Sequence, residues 1–306
     1  MAVSFPFSLY DCFSSAPFGG SQAAIIEVPR PLEPDLMQTI ALETAMPVTV
    51  FLSSVSGRNV NARFFSAVME QPMCGHGAVG LFTHLSSEGR LTGGSGSFHL
   101  HMPNVATTVE VAEPARHQPL VMLDVKAPDF APPGVDLDTV CALLGLDRGD
   151  LSNRLNPVRG KADFIHLILP LAGPGELASI APEFDKLGRF CRAHGIDTVC
   201  AFCMDDQEGG TGLHVRDFCP AVGVAESSSA GTTNAVIAAY LYDRALRREG
   251  ACGSVEIMAR QGTETGRPSR LRTVLTLKDR RIVRVQIGGT ASRLLTGHIN
   301  VPGCLE

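Results

Sequence analysis

Met73-Cys74-Gly75-His76-Gly77-Ala78-Val79-Gly80 and its echo Ser228-Ser229-Ala230-Gly231-Thr232-Thr233-Asn234 decide how this chain folds. Each is a small, glycine-containing turn carrying side chains able to move protons or make hydrogen bonds, and each runs into an apolar segment. Behind the first, Ala78, Leu81, Phe82 and Leu85 fall at helical spacing. Behind the second, Ala235 to Tyr242 is apolar on nearly every side, which predicts a fully buried helix. A glycine-rich turn at a helix start presents free N–H groups and the positive end of the dipole, so it attracts an anion such as a carboxylate. Two such turns imply a grip on one small carboxylic acid from both sides.

The strand before each turn also repeats. Arg63-Phe64-Phe65 precedes the first and Arg216-Asp217-Phe218 the second, 153 positions later, while Gly75 and Gly231 lie 156 apart. The expected fold is therefore α+β: two pseudo-symmetric halves, each a curled, mostly antiparallel sheet around a central helix, with both turns facing a shared cleft. Strands are expected over Ser4–Phe13, Ala23–Val28, Val48–Ser53, Arg58–Phe65, Ser97–Met102 and Thr107–Val111 in the first half. The second half predicts strands over Phe164–Leu169, Thr198–Met204, Leu213–Phe218, Ser254–Ala259, Ser269–Leu277 and Ile282–Ile287, with a last extended piece over Ala291–Val301. Other helices are expected over Leu36–Glu43, from Thr139 to Leu144, and over Glu183–His194. The stretch Ala112–Pro133, with prolines at 114, 119, 128, 132 and 133, suits a crossover. It places the domains at 1–118 and 119–306, with the last strand free to return to the first domain.

Bulk properties exclude several classes. Of the 306 residues 44% are hydrophobic and 19% charged, and the net charge of −5 offers no basic field for nucleic acid or an anionic membrane. No apolar run approaches the roughly 20 residues of a membrane span. No Lys or Arg precedes Arg30, so a signal-peptide n-region is missing, and nine scattered cysteines read as reduced; a cytoplasmic protein is expected. Trp is absent and Tyr numbers three, which argues against stacking platforms for bases or sugars.

Among single residues, Cys74 and His76 are the first candidates for acid/base chemistry. A thiol at a helix start is expected to have a lowered pKa, and imidazole is the usual proton carrier near neutral pH; the bland alternative is a structural Cys beside a capping His. Glu226 is a candidate general base or else a solvated loop carboxylate, and Thr232 a substrate contact or an N-cap. Cys200-Ala201-Phe202-Cys203 has C-x-x-C spacing on a predicted strand, where the two thiols point to opposite faces, so it reads as core. His99 and His101 share a strand face but have no third ligand nearby and read as exposed. Arg247-Arg248 and Arg280-Arg281 read as solvated. No P-loop, dinucleotide fingerprint or nucleophile elbow occurs, so the expected chemistry uses no cofactor and no metal.

At these residues the chain resembles the phenazine-biosynthesis PhzF-like family of the diaminopimelate epimerase / proline racemase superfamily. The resemblance runs nearly end to end: Asp11-Cys12-Phe13 with Pro17-Phe18 and Gly20; Arg63-Phe64-Phe65; Cys74-Gly75-His76; Arg216 with Phe218 and Pro220; Gly223 with Glu226; Gly231; and Gly266-Arg267-Pro268-Ser269. Met73-Cys74-Gly75-His76-Gly77 is also similar to the first catalytic motif of proline racemases. The resemblance implies two epimerase-like domains, a cleft between them, a homodimer and cofactor-free proton transfer at carbon. It places catalysis on Cys74, His76 and Glu226, and substrate binding on Gly75, Gly77, Ser227, Gly231, Thr232 and Ser21. The departures are chemical. The family's acid/base Glu falls at Val48, its helper Asp at Ser227, its Gly-Asn-Pro at Gly20-Ser21-Gln22, and the second racemase thiol near Ala230. The expectation is an isomerase shifting a double bond in a small cyclic unsaturated amino or carboxylic acid, in antibiotic-type biosynthesis. The alternatives are an epimerase, racemase or dehydratase of a proline-like amino acid, and a non-catalytic scaffold that binds small acids.

Overall fold

The computed structural model describes residues 3–29, 32–112, 118–205, 212–247 and 252–301; Pro114, Arg248 and Cys304 of the readings above lie outside them. The chain divides into two compact units, Met1–Asp124 with Gly288–Glu306, and Val125–Ile287. The Pro-rich stretch expected to suit a crossover holds two strands, Leu120–Val125 and Asp129–Ala131, and the division between the compact units lies within it. Alternation is weak there because Leu120–Val125 is apolar on both faces.

In the first unit Val3–Cys12 pairs antiparallel with Ser21–Glu27 on one side and Ala291–Val301 on the other. Helix α1 (Pro34–Thr44), opened by a proline in its first turn, carries the chain over to Val48–Ser56, which runs parallel to Ser21–Glu27. Asn59–Phe65 follows antiparallel, then the short strand Glu70–Gln71. Helix α2 (Gly75–Ser87) comes next, buried from Gly77 to Leu85, and Gly96–His101 then returns parallel to Asn59–Phe65. A helix with no solvent face has to be wrapped by its sheet, and α2 packs on Val3–Cys12, Ser21–Glu27, Val48–Ser56 and Ala291–Val301.

The second unit repeats this order. Helix α3 (Leu137–Leu144) is capped by Asp136, whose carboxylate accepts from the amides of Asp138 and Thr139. Ile165–Pro170 and Thr198–Met204 run parallel, joined by α4 (Pro174–Ser179) and α5 (Phe184–Ala193). Gly212–Cys219 follows antiparallel, then the short strand Val224–Ser227. Helix α6 (Gly231–Leu241), buried from Thr233 onward, leads to Gly253–Gln261, parallel to Gly212–Cys219.

The strand registers make the correspondence residue by residue. Val48 pairs with Ala23, and Thr198 with His166; Val50 pairs with Phe64, and Cys200 with Asp217. Phe65 pairs with Glu70, and Phe218 with Glu226; each glutamate stands five residues before the first residue of its helix, Gly75 or Gly231. The faint sequence echo is thus a duplicated supersecondary unit. None of the eight described cysteines is in a disulfide, and no described helix is long and apolar enough to cross a membrane.

Candidate active site

Helix α2 starts at Gly75 with Cys74 as an extended N-cap (φ −142°, ψ 112°), and no side chain caps it. Its first amides therefore remain for the Cys74 sulfur and for a ligand. The Cys74 thiol lies 3.2 Å from Nδ1 of His76 and 3.8 Å from Nε2. Cys74 is buried, while His76 keeps partial exposure.

Burial pushes the Cys74 thiol up to about 12, although the amides of Gly77 and His76 pull it down. Burial also pushes His76 down to about 4. This corrects the expectation of a low-pKa thiolate: desolvating a sulfur anion costs more than one helix terminus returns. The pair rests as a thiol beside a neutral imidazole, one proton donor and one proton acceptor in contact. Because the folded-state pKa of His76 lies below the usual 6.5, the unfolded chain takes the proton first. The stability carried by the neutral ring is full above pH 6.5 and is lost as pH falls toward 4. Unfolding midpoints measured across this window should fall, and His76→Gln should flatten the curve by about 1–3 kcal/mol relative to wild type.

Val48, where the resemblance leads us to expect the family's carboxylate, is fully buried against the first turn of α2. A Cβ on Gly77 would meet the Phe64 ring at 2.9 Å and Val48 Cγ1 at 3.2 Å, so residue 77 has to be glycine for this turn to close on the sheet. Ser21 opens its strand opposite Cys12 and is half-buried. Gly20 just before it has φ +59°, and a Cβ there would lie 1.8 Å from the Cys12 carbonyl oxygen.

The second turn is held by Gln261, which the sequence reading did not single out, and by Ser269 of the Gly266-Arg267-Pro268-Ser269 motif. Gln261 donates from Nε2 to the Ser227 carbonyl (2.8 Å) and accepts at Oε1 from the Ala230 amide (3.3 Å) and Asn234 Nδ2 (2.7 Å). Ser269 Oγ donates to the Ser228 carbonyl at 2.7 Å. The N-cap of α6 is Ala230, so Thr232 is not the cap; it sits in the first turn, half-buried like Ser227 and Gly231. Gln261→Ala should cost about 1–3 kcal/mol, since the Ser227 carbonyl and the Ala230 amide lose this partner while Asn234 Nδ2 keeps the Ala230 carbonyl. A lowered thermal midpoint with faster exchange of the Ala230 amide would register it.

Glu226, the candidate general base, is engaged as the partner of a largely buried arginine. Its Oε1 and Oε2 accept from Nε and Nη2 of Arg216, both at 2.9 Å, and the two side chains are only 7% and 10% exposed. Arg63 grips Glu70 the same way at 2.7 Å, and each arginine also covers its own phenylalanine, Phe65 or Phe218. The carboxylate thus belongs to a repeated clamp before each helix. Its signal was present in the sequence as Arg63…Glu70 against Arg216…Glu226. His99 is exposed as expected, and His101 Nε2 meets Asn59 Oδ1 at 2.9 Å. Cys200 and Cys203 are core residues of Thr198–Met204.

A strand, a short hairpin strand, a glycine-initiated buried helix and a parallel return strand, used twice, define the fold class of the diaminopimelate epimerases and proline racemases. Solved structures agree. A PhzF-family phenazine biosynthesis protein of Bacillus anthracis superposes with TM-score 0.87 at 21% identity over 97% of this chain and 99% of its own. A hydroxyproline epimerase of Agrobacterium vitis, with trans-4-hydroxy-L-proline bound, superposes at 0.63 and 11% identity over 97% and 93%. The chain belongs to the phenazine biosynthesis-like (PhzC-PhzF) family, whose profile matches residues 10–297. Its relatives include the uncharacterized isomerase YddE of Escherichia coli K12, 25% identical over 92% of this chain and 93% of that protein. An uncharacterized isomerase of Deinococcus radiodurans is likewise 25% identical, over 92% and 90%.

Proposed function

We propose that the protein is a cofactor-independent isomerase that relocates a double bond by proton transfer in a small, cyclic, unsaturated amino or carboxylic acid. The observation that carries this reading is the contact between the Cys74 thiol and the His76 ring at the uncapped N-terminus of a buried helix. The neutral imidazole takes the acidic C–H proton next to the conjugated system, and the thiol delivers its own proton at the carbon where the double bond ends. The thiolate then recovers a proton from the imidazolium across their hydrogen bond, so the pair returns to its starting state. The amide of Gly75 stabilises the enolate-like charge on the substrate, while that of Gly77 faces the Cys74 sulfur. Ser21 contributes to holding the substrate in this reading. The isomerase names of the relatives and the family membership support it. A role in antibiotic-type biosynthesis rests on the family name alone.

Two observations favour neighbouring readings. The acid/base groups sit on one turn, with Ala230 at the matching position of the other, which favours isomerisation or elimination over two-thiol racemisation. Val48 and the engaged Glu226 remove two carboxylates, which is what a binding scaffold would show. Proton NMR in D₂O with a panel of cyclic unsaturated amino acids separates them. Deuterium at the carbon that becomes sp³ establishes the isomerase, and exchange at Cα with both enantiomers appearing establishes a racemase. Ligand binding without any exchange would falsify catalysis.

A further inference from the structure

We propose that His166, Cys200 and Asp217 form a zinc site inside the second unit, directly beneath the first turn of α6. The three residues come from the adjacent strands Ile165–Pro170, Thr198–Met204 and Gly212–Cys219, and all are fully or almost fully buried. One imidazole nitrogen, the thiol sulfur and one carboxylate oxygen lie within 4.8 Å of one another. Zinc bonds of about 2.0–2.3 Å set ligand–ligand separations near 3.3–3.8 Å, so the cluster closes on an ion with side-chain movement of about 1 Å.

Two independent observations point to an occupant. His166 Nε2 and Asp217 Oδ1 have no hydrogen-bond partner although both are buried, which native interiors rarely tolerate. The other observation is the duplicated fold. The residues matching His166, Thr198, Cys200, Asp217 and Thr233 in the first unit are Ala23, Val48, Val50, Phe64 and Gly77, an apolar set that fills the same place by packing alone. The architecture therefore needs no polar group there, and the second unit has exchanged every one of the five.

The donor set suits zinc. A thiolate, a neutral imidazole and a carboxylate are its ordinary ligands, and two negative ligands on a divalent ion leave a net charge of zero, which a core tolerates. Binding replaces the S–H bond of Cys200 by a Zn–S bond and releases that proton to solvent; no electron is transferred. Thr233 Oγ1 donates to Asp217 Oδ2 at 2.9 Å and lies 3.4 Å from His166 Nδ1, so the ion would tie the sheet to α6. An ion here is distant in role from the Cys74–His76 chemistry, so the two readings stand or fall separately.

A fully enclosed site loads while the chain folds. Untagged protein refolded from denaturant with zinc should retain about one equivalent through EDTA dialysis, read by elemental analysis. Cys200→Val, which copies the first unit, should fold and retain none, whereas Cys74→Ser should retain it. Refolding with cobalt should give a thiolate-to-metal charge-transfer band that Cys200→Val lacks. Zinc below about a tenth of an equivalent in wild type, or zinc unchanged by Cys200→Val, overturns the site.

Discussion

Replacing His76 by alanine is expected to lower turnover by about 10²–10⁴-fold while the substrate still binds. The imidazole is the one group of the pair held unprotonated through the neutral range, so no neighbour can take over its role as proton acceptor. Cys74→Ala should lose a comparable factor, and the double variant little more, because the two act as one unit. Turnover followed by NMR and affinity followed by calorimetry separate rate from binding. With His76 near 4 and Cys74 near 12, kcat/KM should be flat between about pH 6 and 9. A steep inflection near neutral pH would show that another group does the chemistry.

The largest stability effect is expected at Glu226. Glu226→Ala leaves the Arg216 guanidinium buried without its carboxylate, held by the carbonyls of Leu177 and Ile180 through Nη1 and by the Phe218 ring. Removing one partner of a buried pair costs about 3–5 kcal/mol. Glu70→Ala, at a clamp whose side chains are 26% and 33% exposed, should cost only about 1 kcal/mol. Urea denaturation of the two variants side by side reads the difference. If Glu226→Ala were as stable as wild type but inactive, the carboxylate would be catalytic after all.

Much of the fold was legible because its signals are local. Periodicity located α2 and α6, glycine marked their starts, and Ala291–Val301 was readable as a strand from its own residues. The position of the candidate site was legible for the same reason, since an uncapped helix terminus after a glycine turn advertises itself. Its ionisation was not. Whether a helix-start thiol becomes a thiolate depends on how much water its surroundings exclude, and those surroundings come from strands elsewhere in the sequence, with Phe64 and Val48 closing over Gly77. The role of Glu226 hid for a similar reason: its partner lies ten residues earlier, across an irregularity between Phe218 and Cys219. His166, Cys200 and Asp217 carry no spacing motif, because three separate strands bring them together.

The pairing of Val3–Cys12 with Ala291–Val301 sets the order in which the molecule can be made. On the ribosome the first strand emerges early, yet its partner is nearly the whole chain away, from Val3↔Val301 to Cys12↔Ala291. Val125–Ile287 has all its strands in one continuous stretch and can close while synthesis continues. The first unit has to wait, one edge of Val3–Cys12 unpaired, until Ala291–Val301 has been made. Such long-range pairing slows folding and prolongs exposure of a sticky edge. Production yield should therefore respond to chaperone supply and growth temperature more than the finished protein's stability would suggest.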